Sequence, residues 1–163
     1  ITLLKGAGVA TLVDVRAQPR SRHNPQFNDD SLRAACERAG LAYHWAGRQL
    51  GGMRAPRADS PHVALDEGRR GFADHMDTEA FRKGASQLQH LAAQSACAIL
   101  CAEREPAHCH RALIADFLVL QGVRVLHLIA PGETREHVLS SEARRESAAL
   151  VYDRQVTGRL DLL

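Results

Sequence analysis

The stretch Ala98–Arg111 reads Ala-Ile-Leu-Cys-Ala-Glu-Arg-Glu-Pro-Ala-His-Cys-His-Arg and concentrates reactive side chains as no other part of the chain does. Cys109, with histidine and arginine beside it, is a candidate nucleophile, because neighbouring positive charge favours the thiolate. His108 or His110 is placed to act as its base, and Glu103 to orient that base. The bland alternative for Cys109 is a small apolar packing residue, and for Cys101, at the end of an apolar run, packing is the first reading. Cys101, Glu103, Cys109, His110 and more distantly His23 also offer donors suited to zinc or iron. Seven residues separate the two cysteines, which does not match the short cysteine spacing of structural zinc sites, so no metal ligand is assigned and the cofactor is left unknown.

The second chemical stretch is Asp14–Pro25, with Asp14, Arg16, Arg20, Ser21, Arg22 and His23. Guanidinium forks match phosphate or carboxylate, so Arg16, Arg20 and Arg22, with Ser21, are candidate anion contacts. His108 and Arg111 are further candidates. They sit in what reads as the first turn of a helix opened by Pro106, where the dipole disfavours positive charge and a bound anion would reconcile the two. Asp14 and Arg16 are two apart on a strand and share a face. They read as an ion pair that fixes the basic loop, with Asp14 as a general base the competing reading.

The elements that must position these groups follow from periodicity. Val9–Val15 and Ala96–Cys101 read as buried strands, Leu41–Trp45 as a short one and Val123–Ile129 as a fourth. Helices are expected at residues 1–7, from Asp29 or Asp30 to Ala39, from Asp77 or Thr78 onward, and from about Ala107 to Gln121. Glu133–Ser147 has a weak helical pattern, and Leu150–Tyr152 could pair as an edge strand. Residues 46–75 show little periodicity and many arginines, which reads as a lid or a surface excursion. Alternating strands and helices give a single α/β domain over 1–163, a three-layer sandwich with a mainly parallel sheet. Right-handed crossovers would bring the basic loop and the Cys101–Arg111 loop to one sheet edge.

Composition bounds the rest. A formal charge of +2 over 163 residues makes no case for nucleic acid or membrane. Aromatic residues at 4% make a base-stacking platform unattractive. No apolar run reaches membrane length and no signal peptide is read. The four cysteines do not resemble a secreted disulfide scaffold, which points to a cytoplasmic protein.

Several strings resemble the bacterial family catalogued as "domain of unknown function 488". They are Leu-Val-Asp-Val-Arg-Ala-Gln-Pro-Arg-Ser-Arg-His-Asn-Pro-Gln-Phe-Asn (12–28), Leu-Gly-Gly (50–52), Gly-Phe-Ala-Asp-His-Met (71–76), Ile-Leu-Cys-Ala-Glu-Arg-Glu-Pro-Ala-His-Cys-His-Arg (99–111) and Gly-Val-Arg-Val-Leu-His-Leu (122–128). The resemblance implies that the Cys101–Arg111 string is a site, without implying a reaction. It also implies a first strand ending in Thr-Ile-Gly-His-Ser, which is absent here and is expected to lie outside these residues. A fainter likeness is to rhodanese-type domains, through Asp-x-Arg after an early strand and a cysteine before a helix. The Gly-rich anion cradle of those domains is lacking, so sulfur transfer remains an analogy. The expected function is an enzyme on a phosphate- or nucleotide-like anion using Cys109 and Glu103. The alternatives are a non-enzymatic module binding a small anion or a nucleic-acid end, and a metal-dependent hydrolase or redox protein.

Overall fold

A computed structural model describes residues 1–154. A short helix α1 (Thr2–Gly6) leads into β1 (Thr11–Asp14), then α2 (Asp29–Arg38) and β2 (Ala42–Trp45). Three helices follow, α3 (Gly47–Leu50), α4 (Glu67–His75) and α5 (Glu79–Gln94), and then β3 (Cys97–Leu100). The three strands form one parallel sheet in the order β2-β1-β3, with Asp14 level with Trp45 on one side and Leu100 on the other. Crossovers through helices leave all three C-terminal ends on one edge.

Strand alternation sorts the core into two layers. Leu12 and Tyr43 turn to one face, where Leu32, Cys36 and Leu41 of the α2 region bury them. Val13 and Val15 turn to the other, against Leu50, Phe72, Phe81, Leu88, Leu113 and Ile114. Helices on both faces of a parallel sheet make the α/β sandwich that the alternation of elements predicts. Thr78 caps α5, accepting from the Phe81 N–H, as expected of a threonine before an apolar helical pattern. The cap of α2 falls at Asn28, so Asp29 and Asp30 lie inside its first turn, where carboxylates suit the dipole. Among the described residues no helix is long and apolar enough to cross a membrane.

Three expectations are corrected. Residues 46–75 are not one irregular loop, since α3 and α4 occupy their two ends. The stretch between them is docked, with His62 and Leu65 buried and the Ala64 N–H donating to the Tyr152 carbonyl at 2.9 Å. Glu133–Ser147 is not helical. Gly132, at φ +76°, reverses the chain into an antiparallel hairpin of β4 (Leu126–Ala130) and β5 (Glu133–Glu136), and β6 (Ala143–Glu146) pairs with β7 (Ala149–Tyr152). The fourth expected strand therefore joins a separate hairpin, and the parallel sheet has three strands. Finally, the helix expected from Pro106 is two pieces, a 3-10 turn at Pro106–His108 and α6 at Arg111–Leu120. Cys109 between them is extended, at φ −130° and ψ 152°.

Asp116 of α6 holds the terminal hairpins. It is fully buried and accepts from the Tyr152 hydroxyl at 2.8 Å, the Ser140 N–H at 3.0 Å and His137 Nε2 at 2.7 Å. His137 in turn meets His127 at 2.8 Å. Replacing Asp116 with alanine leaves three donors without an acceptor, the buried Tyr152 hydroxyl among them. Urea denaturation should show a loss of about 3 kcal/mol or more. A loss within about 0.5 kcal/mol, the range of surface substitutions, would mean that Asp116 does not anchor the hairpins.

Candidate functional site

The sheet edge brings two distant segments together. Val15 extends β1 by one residue, its N–H donating to the Leu100 carbonyl at 2.9 Å. The Val15 carbonyl lies 3.1 Å from His110 Nε2. A carbonyl only accepts, so Nε2 carries a proton, and in the neutral ring Nδ1 carries the lone pair. That lone pair faces two sulfurs, 3.8 Å from Cys101 Sγ and 3.7 Å from Cys109 Sγ. The two sulfurs are 2.9 Å apart, and all three donor atoms lie within 4.8 Å of one another. The His110 ring rests on Phe72, with centroids 5.0 Å apart. On its Nδ1 side it meets Gly52, where an added Cβ would stand 3.1 Å from Nδ1.

Two thiols this close to each other share one proton. The Cys109 thiol is pulled down to about 6, first by the hydrogen bond with Cys101, with the Arg111 N–H and charge adding to it and burial opposing. Cys101 moves the other way, up to about 12, because it keeps the shared proton and is itself desolvated. The Arg111 N–H donates to Cys109 Sγ at 3.4 Å. The start of α6 has no side-chain oxygen cap and no acidic residue, so this sulfur is the negative group at the helix end. The charge that a basic helix start attracts is thus supplied within the chain. Cys109 is only 3% exposed, while Cys101 reaches the surface in part.

The family model for the domain of unknown function DUF488 matches residues 1–118. The chain belongs to the DUF488 family. Neither the curated proteins nor the solved structures give a match. The matched span contains the whole DUF488 cluster, from Val15 and Gly52 to Cys101, Cys109 and His110, and ends before the two terminal hairpins.

The residues singled out from the sequence divide into two groups in this DUF488 domain. Cys101, Cys109, His110 and Arg111 converge. Arg111 donates through Nη2 to the carbonyls of Glu103 and Arg104, while its buried Nε has no partner among the described residues. Glu103 takes part through its backbone, its carbonyl accepting from Arg111. Its carboxylate is exposed, and the Val15 carbonyl orients His110 instead. His108 is exposed beside the cluster. Asp14 and Arg16 lie on the opposite face of the sheet edge, as strand alternation requires. Asp14 is fully buried and takes Arg16 Nε at 2.8 Å, Arg16 Nη2 at 2.7 Å and the Tyr43 hydroxyl at 2.5 Å. Arg16 also donates to the Phe27 carbonyl at 2.8 Å, so its fork is spent on holding the basic loop. Its charged state is favoured first by the Asp14 hydrogen bond, against desolvation. Arg20 pairs with Asp29 and Asp30, and Ser21 bonds to Asn28 and Asn24, whereas Arg22 is exposed and unpaired among the described residues.

Three participants had no role in the sequence reading. The Val15 carbonyl carries no side-chain signal. Phe72 and Gly52 lie in strings quoted for the family resemblance, yet nothing local says that they enclose His110. In reduced, chelator-treated protein, thiolate absorbance should rise with a midpoint near pH 6. Cys109→Ser should abolish that step, and Cys101→Ala should move it upward by removing the S–H donor. A single step in the ordinary thiol range, about 8.5, would exclude the shared proton.

Proposed function

We propose that this DUF488 protein is an enzyme whose working centre is the Cys101–Cys109–His110 cluster and whose substrate is a small anion of the phosphate or carboxylate class. The observation that carries the reading is the imidazole of His110. Its tautomer is held by the Val15 carbonyl so that one free nitrogen is aimed at two thiols, the buried Cys109 and the partly exposed Cys101. A part-buried imidazole N–H needs an acceptor whatever the residue does; what points to a working site is that the other nitrogen is thereby turned toward two thiols, as for an oriented base or ligand. The anion preference is supported by Arg111 beside the sulfurs, with an unpartnered Nε–H, and by the exposed Arg104 and His108 on the same loop. Arg22 is the member of the basic loop left available for such a guest, since Arg16 and Arg20 are held by carboxylates. A small guest suits the site better than a nucleic acid, because the chain offers few aromatic faces for bases. Four cysteines without a disulfide fit a reducing, cytoplasmic compartment.

The test is hydrolysis of p-nitrophenyl phosphate and p-nitrophenyl acetate, with inorganic phosphate as competitor. Cys109→Ser and His110→Gln should each lower turnover by about 10²–10⁴-fold, with the thermal midpoint kept as the control for folding. Arg111→Ala should chiefly weaken phosphate competition. Turnover of neither ester, or turnover indifferent to Cys109→Ser, would overturn the enzyme reading.

A further inference from the structure

We propose that Cys101, Cys109 and His110 together bind a thiophilic divalent cation of the zinc class, with a fourth coordination position open toward the Arg111 side of the loop. The inference takes the cluster as the working centre and rests on that reading for what the ion is for. Two sulfurs and one imidazole nitrogen are a donor set that selects zinc-like ions over calcium or magnesium. Three protein ligands with one position left over is the arrangement of catalytic zinc, whereas structural zinc is closed by four.

The distances fit. Zinc–sulfur bonds of about 2.3 Å and zinc–nitrogen bonds of about 2.0–2.1 Å give a tetrahedron with sulfur–nitrogen edges of roughly 3.6 Å and a sulfur–sulfur edge of roughly 3.8 Å. The two sulfur–nitrogen distances here are 3.8 and 3.7 Å. The sulfur–sulfur distance of 2.9 Å belongs to the metal-free pair, a thiol and a thiolate sharing one proton. When an ion replaces the shared proton, which leaves to solvent, that edge needs to open by roughly 0.9 Å. Rotation about χ1 of the partly exposed Cys101 supplies such a movement.

Two observations outside the three ligands support the site. His110 uses its other nitrogen on the Val15 carbonyl, the second hydrogen bond that metal-bound histidines almost always make. Position 52 is the other. Gly52 does not have a left-handed backbone angle, so conformation does not demand glycine there. Space is tight, because a Cβ would stand 3.1 Å from Nδ1, the nitrogen that would bind the ion, and the ring would have to give by a few tenths of an ångström to admit it. The ion also gives the anion a reason to bind. Two thiolates neutralise a divalent cation, leaving Arg111 as the local positive charge, and an anion in the fourth position balances it. Cys109 is then a ligand, and the attacking or polarised group sits in the fourth position.

The full chain, reduced and stripped with chelator, is titrated with Co²⁺ alone. A tetrahedral spectrum with a sulfur-to-cobalt charge-transfer band is expected, saturating at one ion per chain and displaced by Zn²⁺. Cys101→Ser, His110→Gln and Gly52→Ala should each weaken Co²⁺ by at least about tenfold, in line with the sensitivity of metal sites to their surroundings. Absence of the band in folded wild-type protein overturns the proposal, as does a band of unchanged affinity in Cys101→Ser and His110→Gln. Should those variants not fold, the wild type decides. Zn²⁺ must slow alkylation of Cys101 and Cys109, located by peptide mass, and unprotected thiols overturn the site. Ester turnover surviving complete metal removal rejects a catalytic role for the ion and leaves the thiol centre standing, while binding itself is decided by the Co²⁺ band. Metal uptake without turnover of either ester does the reverse.

Discussion

The contact on which the site depends is the hydrogen bond from His110 Nε2 to the Val15 carbonyl. It joins residues 95 positions apart in the chain. It is available because β1 and β3 are parallel neighbours that end level with each other, so the last carbonyl of one strand faces the loop leaving the next. In parallel pairing the strand ends leave backbone groups that the ladder no longer satisfies. Here one of them selects the tautomer of an imidazole. Without it the His110 ring would be free to flip, and the lone pair would face the sulfurs only part of the time.

A second constraint acts at the start of α6. A helix beginning with Arg111, and preceded by His108 and His110, contradicts the dipole preference for negative charge. The extended backbone at Cys109 resolves the conflict by turning a sulfur into the capping position, where the Arg111 N–H meets it. The gain from such a helix-end charge is of order 0.3–1 kcal/mol. That is small for folding, and enough to help decide which of two thiols holds the shared proton. Burial works against the charge and would dominate for an isolated cysteine. The nearby S–H of Cys101 tips the balance, so the two sulfurs titrate as one coupled unit.

The rest of the fold supports this edge from both sides. The Asp14–Arg16–Tyr43 network fixes the basic loop on one face of the sheet with buried hydrogen bonds. On the other, Phe72 of α4 backs the His110 ring, and Leu50 and Gly51 of the preceding turn are buried against the core, setting Gly52 beside it. The terminal hairpins lie outside the matched family span, yet they are tied through Asp116 to α6, the helix whose start faces the Cys109 sulfur.

Periodicity made the three-strand core, the flanking helices and the Cys101–Arg111 loop legible, because alternation by two and by 3.6 is a property of neighbouring residues. It failed for Glu133–Ser147, where exposed hairpin strands carry no apolar face to read, and at Pro106, where a proline compatible with a first helical turn opened only a 3-10 turn. The chemistry of the basic loop was legible in type but not in direction. Strand alternation alone turns Arg16 away from the cysteines, and only the position of Tyr43 and Asp14 shows that its fork is already occupied. Seven intervening residues gave no sign that Cys101 and Cys109 touch. Their meeting depends on the extended turn at Cys109 and on a carbonyl from another strand. Sequence by itself therefore determined which residues could react and that they lie at a strand end. Tertiary structure decided which of them meet, because closure of the loop is set by strand order and backbone angles that no local pattern encodes.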